Sequence, residues 1–314
     1  GIPMGFYCLD LFQEITNDSV VVNTFHLPNQ IKSTFLRHTS SKFLFSHEKE
    51  VLLGSGGGLK KVEQYFIGNS NFLAANGDEI IIPKTSDLPS RFIEKHLAAD
   101  SIATLLCCRC YDGGRRFGGV WVDSQPAFNS LPNVKEFGKF TQTTQSLHCL
   151  HFAGVFCLSN RIFKYCDKED QPSNLIHDVI KRALTEGEKI SAFVDDFYWF
   201  ETGEPNQFFQ STKAGIALVQ GQNDYLVSKL NHYYPNWRLS KGNLLLDSIP
   251  LHSNIQITKH NVIGTKVSAK TPVSLYNCVV ENQCEIDCES LNEISFGSGI
   301  HSINSQILLC SEKK

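Results

Sequence analysis

Residues 52–79 read LLGSGGGLKKVEQYFIGNSNFLAANGDE. A glycine run, Gly54-Ser55-Gly56-Gly57-Gly58, leads into Lys60 and Lys61. An amphipathic segment follows, then the apolar run Phe72-Leu73-Ala74-Ala75, which stops at Asn76-Gly77-Asp78. The expected order is loop, helix, buried strand, acidic turn. Glycines let a backbone approach a ligand closely because no Cβ intervenes. A helix starting just after them would offer unpaired N–H groups and a positive dipole end to anionic or polar ligand atoms. An acidic residue at the C-terminal end of a buried strand sits where open α/β sheets place ligands and metals.

Working outward, Val20-Val21-Val22 forms a β-branched run expected as a buried parallel strand, and Pro28 opens a helix reaching about Leu36. Downstream, helix and strand patterns alternate: a helix from Asp87, a strand over Ile102–Cys108, a shorter one over Gly118–Asp123, and Leu150–Leu158 with Gly154 in its interior. Asn174–Glu186 reads as a helix closed by Gly187, Ile190–Thr202 as an aromatic strand, and Gly203-Glu204-Pro205 as the opening of another helix. This alternation over residues 1–222 predicts an α/β domain, Rossmann-like, with a mixed, mainly parallel sheet flanked by helices. Over residues 223–314 the texture changes to β. Apolar residues recur near every sixth position (Ile255, Val267, Val273, Val279, Leu291), with Asn261 and Glu285 breaking the series. Such a period suggests a parallel β-helix of one or two coils, or equally an irregular β tail.

Composition narrows the function classes. The 314 residues carry a net charge of −3, which argues for a soluble globular protein and against a nucleic-acid binder working through a strong basic field. No apolar run approaches the ~20 residues that a membrane helix needs, and no secretory signal is visible at the start. The eleven cysteines read as reduced, mostly buried thiols of a cytoplasmic protein. Cys107-Cys108-Arg109-Cys110 contains a C-x-x-C, and Cys278, Cys284 and Cys288 are its candidate partners by spacing. Cys107 and Cys108 lie in a strand-like run, so no zinc site is expected.

The glycine run is neither a phosphate-binding P-loop nor G-x-G-x-x-G, since the sixth position from Gly54 is Leu59. No G-x-S-x-G elbow supports an esterase. Asp78 and Glu201 each read plainly as polar residues at strand ends. Read together, two carboxylates at C-terminal strand ends have the chemistry to hold one Mg²⁺, which prefers oxygen ligands plus substrate phosphates. An interior strand glycine often marks a close approach by a ligand or another backbone, so Gly154 would leave room for a second substrate. Asp195 and Asp196 read as a solvated bend rather than as ligands.

The order G-S-G-G-G-L-K-K, F-L-A-A-N-G-D, H-F-A-G-V-F-C-L-S and W-F-E-T-G-E-P resembles the sugar-1-phosphate nucleotidyltransferases, or nucleoside-diphosphate-sugar pyrophosphorylases. The mannose-1-phosphate guanylyltransferase-like branch is the nearest. Gly1-Ile2-Pro3-Met4 with Leu9-Asp10-Leu11 looks like the segment following that family's signature loop, and the resemblance runs through about residue 220. It implies a nucleotide-diphospho-sugar transferase fold, a C-terminal β-helix of left hand, and a reaction of a nucleoside triphosphate with a sugar 1-phosphate to give a nucleotide-sugar and pyrophosphate. Gly56, Gly57 and Gly58 match the loop lying against the nucleobase, with Asn76 and Gly77 also assigned to the nucleotide. Gly154 matches the glycine beside the sugar. Asp78 matches the metal-binding aspartate, and Glu201 stands where the family has a second one, in W-x-D-I-G-T-P. The implied cofactor is Mg²⁺, the implied partners are the two substrates, and a homo-oligomer is left open.

Two departures set the alternatives. The family's glycine-rich signature loop, with its arginine and lysine, would lie upstream of Gly1, which implies a truncated form or a divergent member that has lost turnover. Glu201 and Glu204 replace the family's aspartate and threonine. A non-catalytic nucleotide-sugar-binding or regulatory homologue is therefore the second reading. A metal-dependent glycosyltransferase is the third, although Asn76-Gly77-Asp78-Glu79 replaces its usual Asp-x-Asp turn.

Overall fold

A computed structural model describes residues 2–13, 15, 19–38, 42–68, 70–109, 114–115, 118–248 and 250–286, and the backbone of the strands that follow, at 290–292, 294–296, 300–303 and 306–309. The chain divides into two compact units. One comprises Gly5–Gly77 and Pro83–Tyr198; the other comprises Gly1–Met4, Asp78–Ile82 and Trp199–Lys314.

The first unit is α/β. Helix α1 (Gly5–Phe12) buries Phe6, Cys8, Leu11 and Phe12. Strand β1 (Val20–Thr24) runs parallel to β2 (Phe43–His47), joined through α2 (Pro28–Phe35), whose proline sits in the first turn. Helix α3 (Gly54–Lys61) and a 3₁₀ turn lead to β3 (Asn71–Ala75). In chain order β4 (Ile80–Pro83) follows, its residues through Ile82 belonging to the other unit, and this unit resumes with α4 (Leu88–Ala99), β5 (Ala103–Cys108), β6 (Gly119–Val122), β7 (Val134–Gly138) and the long β8 (His148–Ser159). A π-helical turn (Leu175–Ile180) continues into α5 (Lys181–Thr185), followed by β9 (Ile190–Val194) and β10 (Phe197–Phe200), whose last two residues belong to the other unit.

β8 is the axis of the main sheet. β5 pairs with it antiparallel along one edge, while β3 and β6 pair with it antiparallel over Val155–Ser159 and His148–Leu150. β9 lies parallel to β5. β3, β5 and β9 therefore share one direction, and β8 opposes them, giving a mixed sheet with helices around it, as the alternating pattern predicts. Both faces are covered, so the strands are apolar throughout: Ile102, Ala103, Leu105, Leu106 and Cys107 are wholly inaccessible. An aromatic stack of Phe66, Phe72 and Phe163, with ring centroids 4.3 Å (66 to 72) and 5.5 Å (72 to 163) apart, ties the 3₁₀ turn and β3 to the segment after β8.

In the second unit, α6 (Pro205–Gln220) and α7 (Asp224–Tyr233) precede a parallel β-helix. Asn243–Leu245, Val262–Ile263, Val279–Val280 and Ile294–Phe296 stack in parallel on one face, and Ile255–Ile257, Val273–Tyr276 and Ser290–Asn292 on another. More coils form than the sequence period suggests, because Asn261 is no interruption. It is wholly buried and donates to Asn243 Oδ1 at 2.8 Å, while its own Oδ1 accepts from Cys278 N–H at 2.9 Å. A polar side chain thus replaces an apolar one at that level by satisfying the stacked turns. Glu285 is exposed and its neighbour Ile286 turns inward instead. Leu291 lies where only the backbone is described, and Cys110 and Cys288 lie outside the described residues.

Candidate active site

The glycine run is not a loop before a helix. It is the first half of α3, and Gly56, Gly57 and Gly58 are buried in it. The reason is close packing against the chain's own backbone. A Cβ on Gly56 would lie 2.6 Å from Ser173 Oγ, and one on Gly57 would lie 2.5 Å from Gln171 O. A Cβ on Gly58 would meet Asn23 Nδ2 at 2.7 Å and Glu48 Oε1 at 3.1 Å. Gly54 adopts φ +68°, a conformation glycine enters without Cβ strain, with Ser173 O in its Cβ direction. The first N–H groups of α3 are also engaged: Gly56 N–H donates to Ser173 O at 2.8 Å, so they are not the open anion cradle that the sequence suggests.

Two further contacts fix this helix. Glu48 is buried, and its carboxylate accepts from Asn23 Nδ2 and from Leu53 N–H, each at 2.7 Å. Ser55 Oγ accepts from Leu175 N–H at 2.9 Å, where the π-helical turn begins. Asn174 caps that turn by accepting from Ile176 and His177 N–H.

Gly154 lies buried inside β8 with φ +80°. The register of β5 against β8 shifts beside it, between Leu105 and Cys107. A left-handed residue in a strand irregularity requires glycine for the backbone alone. Its carbonyl accepts from Asn76 N–H at 2.9 Å, which places the first residue of the acidic turn against the glycine the sequence singles out.

In the other unit, Asp78 and Glu201 stand at neighbouring segment ends. Thr202 Oγ1 donates to Asp78 O at 3.0 Å, and Trp199 Nε1 donates to Glu79 Oε2 at 2.6 Å. Asp78 is exposed and Glu201 half-buried. Glu201 Oε1 accepts from Gly203 N–H at 2.9 Å, and its backbone carbonyl accepts from Ser211 Oγ at 2.8 Å. Among the described residues, neither the Asp78 carboxylate nor Glu201 Oε2 has a hydrogen-bond donor or cation beside it. Two such carboxylates on adjoining segments are the oxygen donors a hard divalent cation requires. No group of three or more metal-ligating side chains occurs among the described residues.

Asp195 is no solvated bend. Its side chain is 1% exposed and pairs with Arg91 Nη1 at 2.5 Å. Arg91 also pairs with Asp87 at 3.0 Å. The turn between β9 and β10 is thereby pinned, and the single aromatic strand expected over residues 190–202 is broken in two. Asp196 pairs with Lys84 at 2.8 Å on the surface.

Residues 4–216 match the family model described as nucleotidyl transferase. The chain belongs to the nucleotidyl transferase family. No curated relative matches it. Solved structures share its fold. A UDP-glucose pyrophosphorylase from Acinetobacter baumannii superposes with TM-score 0.55 and 13% identity, over 72% of this chain and 85% of that one. An inositol-1-phosphate CTP transferase from T. maritima superposes with TM-score 0.51 and 15% identity, over 65% and 78%.

Several residues of this nucleotidyl transferase escape sequence reading. Glu48 and Asn23 carry no motif, and their signal is only their place at strand ends. Thr202 is hidden between Glu201 and Gly203 in the motif. His96 is buried, with Nδ1 at 2.8 Å from Thr104 Oγ1 and Nε2 at 3.0 Å from Asn71 Oδ1. Burial, with a smaller contribution from Arg161, lowers its pKa to about 4. Burial likewise pushes the Cys157 thiol up to about 12 and Cys166 up to about 11, so both stay protonated. Among the described residues no helix is long and apolar enough to cross a membrane.

Proposed function

We propose that this nucleotidyl transferase joins a nucleoside triphosphate to a sugar 1-phosphate, giving a nucleotide-sugar and pyrophosphate. The observation that carries the reading is the Asp78–Glu201 pair: among the described residues the Asp78 carboxylate and Glu201 Oε2 have no protein partner, Glu201 Oε1 accepts only from Gly203 N–H, and the two segments are tied together by the Thr202 hydroxyl. The family match and the shared fold with a UDP-glucose pyrophosphorylase and an inositol-1-phosphate CTP transferase support the same class of reaction.

In this reading a phosphate oxygen of the sugar 1-phosphate attacks the α-phosphorus in line. The bond from that phosphorus to the β-phosphate oxygen breaks, and pyrophosphate leaves. The work asked of the protein is positioning and charge complementarity, since the phosphate nucleophile is already ionised at neutral pH. Asp78 and Glu201 would hold Mg²⁺, which when bound supplies charge neutralisation to the phosphates. Gly203 N–H donates to Glu201 Oε1 and so restrains the glutamate side chain that stands in place of the family's aspartate. Gly56, Gly57 and Gly58, with Asn76 and Gly77, are assigned to the nucleotide, and Gly154 to the sugar. For the glycines of α3 the part left to a ligand is backbone surface, because their Cβ directions are filled by protein.

The test is pyrophosphate release from the full gene product with Mg²⁺, across the common triphosphates and a panel of sugar 1-phosphates that starts with GTP and mannose 1-phosphate. Release with one pair, lost in Asp78→Asn, supports the reading. No release with any pair overturns it.

A further inference from the structure

We propose that Thr202 is a positioning residue for the metal-binding carboxylates, a role that rests on the assignment of Asp78 and Glu201 above. Asp78 sits in an exposed turn, and its own side chain has no partner among the described residues. Such a turn has little to fix where its carboxylate points. Two side chains from one short segment restrain it. Trp199 holds Glu79 through its indole N–H, and Thr202 holds the Asp78 carbonyl through its hydroxyl. Thr202 directly follows Glu201 in the chain, so this bond sets the spacing between the two carboxylate-bearing backbones without occupying either carboxylate.

The hydroxyl has a second acceptor within reach, Met4 Sδ at 3.3 Å. A thioether sulfur is the weaker acceptor, so the proton goes to the Asp78 carbonyl. Glu201 is held from its other side, its carbonyl by Ser211 and its Oε1 by Gly203. A Cβ at position 203 would come within 3.0 Å of Glu201 Oε1, so the glycine keeps that bend open. The pair thus has one anchored member, Glu201, and one member, Asp78, whose registration depends on Thr202.

Thr202→Val keeps the shape and removes the donor, while Thr202→Ser keeps the donor. Mn²⁺ binding to the full protein, read by electron paramagnetic resonance, is expected to weaken about two- to ten-fold in T202V, the range of one net hydrogen bond, and to stay near wild type in T202S. Amide exchange at Gly77–Glu79 in the metal-free protein is expected to accelerate in T202V alone, with the unfolding midpoint unchanged. Wild-type Mn²⁺ affinity and exchange in T202V would overturn the proposal. If Asp78→Asn and Glu201→Gln also bind Mn²⁺ like wild type, the carboxylate assignment fails and the Thr202 role falls with it. If those two lose the ion and T202V does not, only the Thr202 role falls.

Discussion

The glycine helix and the Asp78–Glu201 segments treat their polar groups in opposite ways. In α3 the donors and acceptors at its start close on the protein itself: Gly56 N–H on Ser173, Leu53 N–H on Glu48, and Ser55 on Leu175. At Asp78 and Glu201 the backbone is held, while among the described residues the Asp78 carboxylate and one oxygen of Glu201 are left open. A closed network defines a shape, because each buried group left unpaired would cost free energy. Carboxylates left open instead add little to the fold and are worth keeping where a cation binds. The first region is expected to respond to mutation in stability, the second in activity.

The largest expected effect breaks the second region. Asp78→Asn or Glu201→Gln removes a charge while keeping its size. Loss of one such electrostatic contact to a reacting phosphate costs roughly 10²–10³-fold in kcat. Pyrophosphate release at saturating substrate checks this, and the unfolding midpoint is expected to stay within about a degree of wild type, because neither carboxylate bonds to a side chain. A loss of stability larger than the loss of rate would make the pair structural.

The next effect sharpens the first region. In Gly57→Ala the new methyl group meets Gln171 O at 2.5 Å, and the obstacle is backbone rather than a flexible side-chain end. Overpacking of this kind costs about 1–3 kcal/mol, and the upper end is expected here. Denaturant unfolding checks it. At Gly58 the neighbours are the Asn23 and Glu48 side chains, which already hold each other, so Gly58→Ala is expected to fall below Gly57→Ala.

These contrasts show which parts the sequence carries. Apolar runs at Ile102–Cys108 and Leu150–Leu158 announce the central strands because a sheet covered on both faces must be apolar throughout. The positions of Asp78 and Glu201 just after strands are legible for a related reason: a carboxylate ending an apolar run marks where a strand leaves the core. The direction of β8 is not legible, since burial is the same for a parallel and an antiparallel central strand. Nor is the partner of each glycine. Gln171 and Ser173 lie far along the chain, and a glycine run reads the same whether a ligand or a distant carbonyl fills the missing Cβ. Asp195 reads as a surface residue because its partner, Arg91, is 104 positions away. Asn261 looks like a broken repeat because its hydrogen bonds run between coils rather than along the chain.

A pH titration separates the two regions by a different route. His96 bridges Asn71, at the start of β3, and Thr104 in β5. Its pKa of about 4 in the fold lies below the ordinary 6.5, because burial disfavours the imidazolium. Protons therefore bind preferentially to the unfolded chain between these values. Stability is flat above about pH 6.5 and falls as pH drops toward 4, by about 2 kcal/mol between pH 7 and 5 from this residue. Unfolding free energies at the two pH values check this, and His96→Gln is expected to flatten the slope. Because His96 lies at the far end of β3 from Asn76, loss of activity over the same pH range should follow loss of folded protein.

The smallest expected effect sits within the closed region. Ser55→Ala removes the acceptor for Leu175 N–H at the start of the π-helical turn. Leu175 is buried, so water replaces the hydroxyl poorly, and one lost neutral hydrogen bond costs about 1 kcal/mol. That corresponds to a fall of roughly 2–4 °C in Tm for a domain of this size. Asn174 still caps Ile176 and His177, which limits the damage to one donor. Activity measured below the transition is expected to match wild type. If Ser55→Ala instead lowers the rate while Tm holds, the start of α3 contacts substrate through that hydroxyl, and the division between a closed helix and an open carboxylate pair fails at this residue.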